Sequence, residues 1–267
     1  MSDKILSRDA GNKDQVLRSA PNAVPNGSGT AESGVTGSGR VPGRRLPRYE
    51  ARPVLVACVV FAILGTLRIA GAFDEWLKVF SIVLTPFALF VVPRRMWSDV
   101  GVQAISSPRQ LARGIGVVTA GYLLTLVACL TLLGRGEDNW AALLPGLFRE
   151  MFPGSPALAY ISLFLCMGLL VPIAEEVFYR GVLLHAASRR MGLWRSVVTV
   201  SAGWALVHLG DYGLNPFNPL VLAGMIPSVF VMGLALGYCR MVTGSVVGTT
   251  IAQGVANVLF TIWAISL

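Results

Sequence analysis

Apolar residues occur in seven long runs after residue 50, separated by short polar or basic segments. The runs lie at about residues 53–72, 76–93, 111–133, 157–188, 194–209, 219–240 and 244–265. Each approaches the ~20 residues that a helix needs to cross the hydrocarbon core of a bilayer. The pattern predicts an all-α fold, a polytopic transmembrane bundle of seven helices, or of eight if residues 139–152 also insert.

The segment between the third and fourth runs has two interpretations. Residues Trp140 to Phe152 are apolar enough to form a helix that lies in the membrane interface. The same residues are also compatible with a short re-entrant piece. The sequence does not decide between the two.

The basic residues predict how the chain is oriented. Arginines cluster before the first run, between the second and third, between the fourth and fifth, and at the end of the sixth. Cytoplasmic loops of membrane proteins carry such an excess of positive charge. We therefore predict a cytoplasmic N-terminus in the cell (cytoplasmic) membrane, with the turn-rich segment 211–219 on the outer side.

Three regions follow from these patterns. Residues 1–50 are rich in Gly, Ser, Asn and Pro, lack an apolar stretch typical of a secretory signal, and are predicted to be a disordered basic cytoplasmic tail. Residues 51–156 would hold the N-terminal transmembrane helices and an outer connecting segment. Residues 157–267 would form the helix bundle that carries the chemistry.

Composition supports a membrane protein. The chain has 54% hydrophobic and only 13% charged residues, whereas soluble domains carry about 25% charged residues. The net charge of +8 does not indicate a nucleic-acid partner, because the basic residues lie in the tail and at the ends of apolar runs. The four cysteines form no CxxC pair and predict neither a disulfide framework nor a zinc site.

Two carboxylates and an arginine interrupt the fourth run. Glu175 and Glu176 are adjacent, and Arg180 follows one helical turn after Glu176. A charged side chain at the bilayer centre costs at least about 2.5–3.5 kcal/mol, so such residues are rare unless they are paired or face a cavity. We expect Glu176 to pair with Arg180. That pairing would leave Glu175 comparatively free as a candidate catalytic group.

Three further polar residues lie at a similar predicted depth. Glu176 precedes the inner arginine 189 by thirteen positions, and His208 and Gln253 follow the inner arginines 195 and 240 by the same number. At a 1.5 Å rise per residue, each lies about 20 Å above the inner ends of the helices. Asn257 is one turn beyond Gln253 on the same helix face. The shared layer predicts one site.

A structural role is the alternative for each of these polar residues. Membrane helices use Asn, Gln and His for interhelical hydrogen bonds worth about 0.6–2 kcal/mol each. For Gln253 or Asn257 taken alone, this explanation is the better one. A pair of carboxylates with an arginine is not required for such bonding, and a histidine in the same layer favours catalysis.

The motif Glu175-Glu176-x-x-x-Arg180, followed by an aromatic residue four positions before His208 and by Asn257 in the last helix, resembles the CPBP family of intramembrane proteases. That family includes the type II CAAX prenyl endopeptidases and bacteriocin-processing or self-immunity proteins. The resemblance covers about residues 157–265, with a weaker feature at Trp97 to Val102. It implies a membrane-embedded endopeptidase acting on peptide or membrane-protein substrates.

The resemblance also implies a role for each residue. Glu175 would be the general base that activates a water, and His208 would orient or polarise that water. Glu176 and Arg180 would hold their helix in register. Asn257 would stabilise the oxyanion at the scissile carbonyl. Burial would make a carboxylate a more effective base near neutral pH, and preorganised donors stabilise an oxyanion by several kcal/mol.

One departure from the family pattern concerns the chemistry. Gln253 stands where the family usually has a second histidine, and Trp204 replaces a phenylalanine in the second motif. Glutamine can donate a hydrogen bond to an oxyanion, but it is no base and a poor metal ligand. One carboxylate and one histidine are fewer than the three ligands of a catalytic zinc site. We therefore predict no cofactor and no metal.

Two other functions remain as alternatives. Because of Gln253, the chain could be a non-catalytic relative that binds peptides or membrane proteins without cutting them. A transporter or channel is the third alternative, since a buried Glu–His pair can also relay protons.

Overall fold

The structure is a computed structural model that describes residues 48–266. Most of the predicted tail, residues 1–47, lies outside the described residues. Residues 48–50, which the sequence assigned to this tail, form the first turn of the first helix.

The described residues are 82% helical and contain no strand, as the predicted all-α class requires. The helices are α1 Arg48–Ala70, α2 Glu75–Leu84, α3 Pro108–Leu133, α4 Trp140–Met151, α5 Pro156–Met191, α6 Leu193–Val207, α7 Pro219–Thr243 and α8 Val246–Ile265. Short 3-10 helices extend α2 over Thr85–Val91, follow it at Arg94–Met96, and extend α6 over His208–Gly210.

Four helices, α3, α5, α7 and α8, are long and apolar enough to cross a membrane. Many of their large apolar side chains point away from the protein, among them Leu124, Leu132, Ile161 and Ile262. Such a surface is expected of helices that face lipid tails. The chain is an integral membrane protein.

Three of the predicted crossings have shorter helices. The apolar parts of α1 and of the α2 segment cover Leu55–Ala70 and Trp76–Val91, and α6 is 15 residues long. The second half of the α2 segment is a 3-10 helix beginning at Thr85. The predicted number of seven or eight crossings therefore stays a prediction. Helix α4 forms where the sequence left two alternatives open, and its Trp140, Ala141 and Leu144 are buried.

The polar residues at helix starts explain where the long helices begin. Ser107, Asn139, Asn218 and Ser245 each accept a hydrogen bond from a backbone N–H in the first turn of the helix that follows. Short polar side chains at this position satisfy donors that have no partner within the helix. At the other end of α7, Gly244 adopts the left-handed conformation that closes many helices (φ 65°).

Small residues allow α7 to lie close to its neighbours at the centre of the bundle. Gly233 lies against Ser201 of α6, and Gly237 lies against Val197 one turn further along. Helix α3 packs along the other side, where Gly114 contacts the sulfur of Cys239. Gly233 and Gly237 thus allow α7 to lie close to α6.

Helix α5 is continuous but changes its winding twice. Residues Cys166–Leu170 and Val177–Leu183 form π-helical stretches, with ordinary α-helix between them. Pro172 lies just after the first stretch; it has no N–H to donate, and its ring excludes the carbonyl of Gly168 from the normal helical bond. A wider turn before the proline accommodates it. Such turns occur often at functional sites.

The loop after α2 docks on the turn between α7 and α8. The Val246 N–H donates to the Gly101 carbonyl at 2.8 Å, and Gln103 Nε2 donates to the Gly244 carbonyl at 2.9 Å. The weaker sequence feature at residues 97–102 thus belongs to the loop that fixes the start of α8. Because Gln253 and Asn257 lie on α8, the same loop also determines their position along the helix bundle.

We predict that Gly254→Ala destabilises the bundle. A Cβ at Gly254 would lie 2.5 Å from the carbonyl oxygen of Gly168, a backbone atom of α5 that cannot move independently. Overpacking of this kind costs about 1–3 kcal/mol. Thermal unfolding of the protein in detergent, followed by tryptophan fluorescence, should give a lower Tm.

Gly116→Ala is the matched control, because a Cβ at that exposed position in α3 meets nothing within 4 Å. Alanine is the better helix former there, so its Tm should be unchanged or higher. Equal Tm values for Gly254→Ala and the parent protein would contradict the close approach of α5 and α8.

Candidate functional site

Glu175 and Glu176 end the short α-helical stretch between the two π-helical turns of α5. Both are buried, with exposed fractions of 3% and 0%. Because they are adjacent, they project in different directions from the helix and have different partners. Each carboxylate therefore has to be considered separately.

Glu175 makes two contacts through its two carboxylate oxygens. Gln253 Nε2 of α8 donates to Oε2 at 2.9 Å. Arg68 Nη1 of α1 lies 3.5 Å from Oε1. The prediction that Glu175 is comparatively free is therefore wrong. Sequence spacing along α5 could identify only partners on that helix, and both partners come from other helices.

Glu176 pairs with Arg180, as the helical spacing predicted. Arg180 Nη1 lies 2.8 Å from Glu176 Oε1, and both side chains are fully buried. The guanidinium also stacks over the Trp204 ring at 4.4 Å, and its Nη2 donates to the Gly233 carbonyl at 3.4 Å. The pair thus ties α5 to α6 and α7. Trp204, at the family's phenylalanine position, provides the aromatic face.

His208 lies in the 3-10 turn that ends α6. Its Nδ1 is 2.7 Å from the Trp204 carbonyl oxygen, and a neutral imidazole makes this bond by donating from Nδ1. Its Nε2 lies 3.8 Å from Asp211 Oδ2. These contacts fix the ring on the α6 side of the site. Its predicted role beside Glu175 stays a prediction.

The two amides of α8 have different partners. Gln253 donates to Glu175, whereas Asn257 Nδ2 donates at 2.8 Å to the carbonyl oxygen of Met167. Met167 lies in the first π-helical stretch of α5, where the altered winding leaves backbone carbonyls available. Asn257 thus holds α8 against α5. Both amides are almost fully buried.

Arg68 and Asp211 are part of this cluster and were missed in the sequence. Arg68 Nε and Nη2 donate to the two oxygens of Asp211 at 2.9 and 2.8 Å. Arg68 interrupts an apolar run just as Glu175 does, and that is the signal that marks it. Asp211 stands in a turn-rich segment, where an aspartate needs no special explanation.

The charge of Asp211 depends on its neighbours. Burial alone would raise the pKa of the Asp211 carboxyl, but the guanidinium of Arg68, together with His208, holds that pKa below its ordinary value. Asp211 is therefore a carboxylate at neutral pH. Its negative charge stabilises the position of the Arg68 guanidinium.

Tyr122 of α3 is a further buried member of the cluster. It is 4% exposed, and its hydroxyl lies near the side chain of Gln253. A tyrosine in the middle of an apolar helix usually finds a polar partner for its hydroxyl, which is the sequence signal for it. Through Tyr122, helix α3 also contributes to the site.

The described residues contain no group of three or more His, Cys, Asp or Glu side chains placed to hold a metal ion. The cluster around Glu175 combines the two carboxylates of Glu175 and Asp211 with guanidinium, amide and hydroxyl groups. Such a set can orient a carboxylate and small polar groups near it. It offers hydrogen bonds and charge for chemistry on a carbonyl compound.

Comparison with models of known protein families gives a match. Residues 157–259 match the family described as Type II CAAX prenyl endopeptidase Rce1-like. Neither the curated proteins nor the solved structures gave a match. The matched region contains all six residues singled out in the sequence, whereas Arg68 and Tyr122 lie outside it. The match over residues 157–259 supports the resemblance to the CPBP family of intramembrane proteases.

Proposed function

We propose that the protein is an intramembrane endopeptidase in which Glu175 activates a water for attack on a peptide bond. The observation that carries the proposal is the buried Glu175 carboxylate, held between Gln253 and Arg68 inside a helix bundle of a protease family. Glu176 is already committed to Arg180. Two carboxylates thus have two distinct tasks, one chemical and one structural.

In this mechanism Glu175 takes a proton from the water while the oxygen of that water forms a bond to the scissile carbonyl carbon. General-base help of this kind contributes about 10²–10⁴-fold. The proton then passes to the departing amine as the C–N bond breaks. His208, held by its bond to Trp204, orients the water from the α6 side.

The amides supply the oxyanion donors. Each primary amide carries two N–H groups, of which Gln253 gives one to Glu175 and Asn257 gives one to Met167. A substrate carbonyl would bind to the second N–H of each. Donors already held by the protein need little reorganisation when the negative charge develops.

The substrate class is a peptide or a membrane protein. The family is named for enzymes that cut prenylated CAAX proteins, and such a substrate carries a lipid that keeps it at the membrane. The site lies among helices α3, α5 and α8, which are long enough to cross the bilayer. We propose the cell membrane as its location, with the N-terminus in the cytoplasm.

A second function is favoured by a specific observation. Gln253, in the place of the family's second histidine, occupies one oxygen of Glu175, and Arg68 occupies the other. In this arrangement the carboxylate is 3% exposed, so no oxygen faces open space. A relative that binds peptides or membrane proteins without cutting them would tolerate such a closed site.

We predict that Glu175→Gln lowers cleavage at least about 100-fold, because the amide keeps the size of the side chain but is no base. The purified protein and its variants are incubated with a library of membrane peptides, and products are identified by mass spectrometry. Glu150→Gln, the same change at an exposed site in α4, should cleave as the parent does. Equal cleavage by the parent and Glu175→Gln would refute the assigned base.

The variant Gln253→His separates the two functions. If the parent is an enzyme, it cleaves peptides, and the histidine changes the rate without creating the activity. If the parent is a binding protein, it does not cleave, and cleavage by Gln253→His alone would refute the endopeptidase proposal. Peptides that the parent protein binds without cleaving would then be identified in the same mass spectra.

A further inference from the structure

Arg68 connects two carboxylates from distant parts of the chain. Its guanidinium forms a two-point contact with Asp211 at 2.9 and 2.8 Å and lies 3.5 Å from Glu175. We propose that Arg68 is a positioning residue for Glu175, held in place by Asp211. This inference extends the site to α1, which lies outside the family-matched residues 157–259.

The two-point contact determines where the third nitrogen points. A guanidinium is planar, and two parallel bonds to a carboxylate fix its plane as well as its position. Nε and Nη2 are used by Asp211, which leaves Nη1 directed at Glu175 Oε1. With Gln253 on the other oxygen, the Glu175 carboxylate is held from two sides.

Arg68 lies closer to Asp211 than to Glu175, and this difference is compatible with Glu175 acting as a base. The contact to Asp211 is short, whereas the 3.5 Å contact to Glu175 is at the limit of a hydrogen bond. Arg68 therefore gives most of its bonding to Asp211 and compensates the charge of Glu175 without a close bond. Glu175 Oε1 keeps the capacity to accept a proton from a water.

The end of α1 is held in place by contacts that do not involve the guanidinium. Gly210 packs so closely on the backbone of Arg68 that a Cβ there would overlap the Arg68 carbonyl oxygen. Asn215 Nδ2 donates to the Ala72 carbonyl at 3.0 Å. Replacing the Arg68 side chain should thus remove the positioning group while α1 stays docked on the segment after α6.

The role also accounts for the presence of a charged residue in the apolar helix α1. Arg68 is 9% exposed, and removing it would leave the charges of Glu175 and Asp211 close together and poorly compensated. Breaking a buried pair by removing one partner is strongly destabilising. Experiments with double variants can separate the effect of removing Arg68 on Glu175 from its effect on Asp211.

The first test is kinetic and rests on the proposed function. Arg68→Gln should lower kcat about tenfold or more with little change in KM, because a misplaced base affects the chemical step. Arg68→Lys should restore only part of the rate, since an ammonium cannot make the two-point contact. An unchanged kcat in Arg68→Gln would overturn the proposal.

A charge exchange distinguishes positioning from a simple ion pair. In the double variant Arg68→Asp with Asp211→Arg, the pair is re-formed in reverse, but a carboxylate now faces Glu175. We expect the Tm to recover relative to Arg68→Asp alone while cleavage stays lost. Recovery of cleavage together with Tm would show that Arg68 serves only the ion pair with Asp211.

The second test does not depend on any activity. The Tm is measured for the parent, Arg68→Gln, Glu175→Gln and the double variant. Arg68→Gln should lower the Tm by about 6 °C or more, and the loss should be clearly smaller when Glu175 is already glutamine. Glu150→Gln in place of Glu175→Gln should give additive losses, because the sites share no partner.

Additive losses for Arg68 and Glu175 would overturn the proposal even in an active enzyme. If the parent cleaves no peptide, the proposed function fails, but coupled losses would still support Arg68 as the partner that positions Glu175. The proposed function and the proposed role of Arg68 can therefore be refuted separately.

Discussion

The structure depends on how negative charge is accommodated inside an apolar bundle. Glu175 and Glu176 are both buried, and each has a separate cation: Arg68 at 3.5 Å and Arg180 at 2.8 Å. A buried charge without a partner costs several kcal/mol, so the helices that carry these cations cannot be placed freely. Helix α1 must bring its last turn to α5, and α5 must present Arg180 toward α6 and α7.

Close packing of the helices makes these contacts possible. Gly233 and Gly237 bring α7 against α6, and Gly254 brings α8 against the first π-helical stretch of α5. That approach lets Asn257 reach the carbonyl of Met167 and Gln253 reach Glu175. The polar site is thus a product of backbone proximity, which small residues permit in membrane helices.

The amide at position 253 limits which groups can move a proton in the proposed reaction. It donates a hydrogen bond to Glu175 and lies near the hydroxyl of Tyr122. A histidine there could exchange a proton, whereas glutamine can only donate and accept hydrogen bonds. The proton transfer of the proposed reaction is therefore assigned to Glu175, with the surrounding groups serving to hold it and the substrate.

The sequence alone determined the helical class, the membrane setting and the pairing of Glu176 with Arg180, because apolar run length and a four-residue spacing are local properties. It also placed Gln253 and Asn257 on one face of the last helix. Only the tertiary structure decided that Arg68, Asp211 and Tyr122 join Glu175, and that α5 winds as a π-helix around its motif. The physical reason is that a charge in an apolar bundle is satisfied by whichever helix lies beside it, and periodicity along one helix does not specify its neighbours.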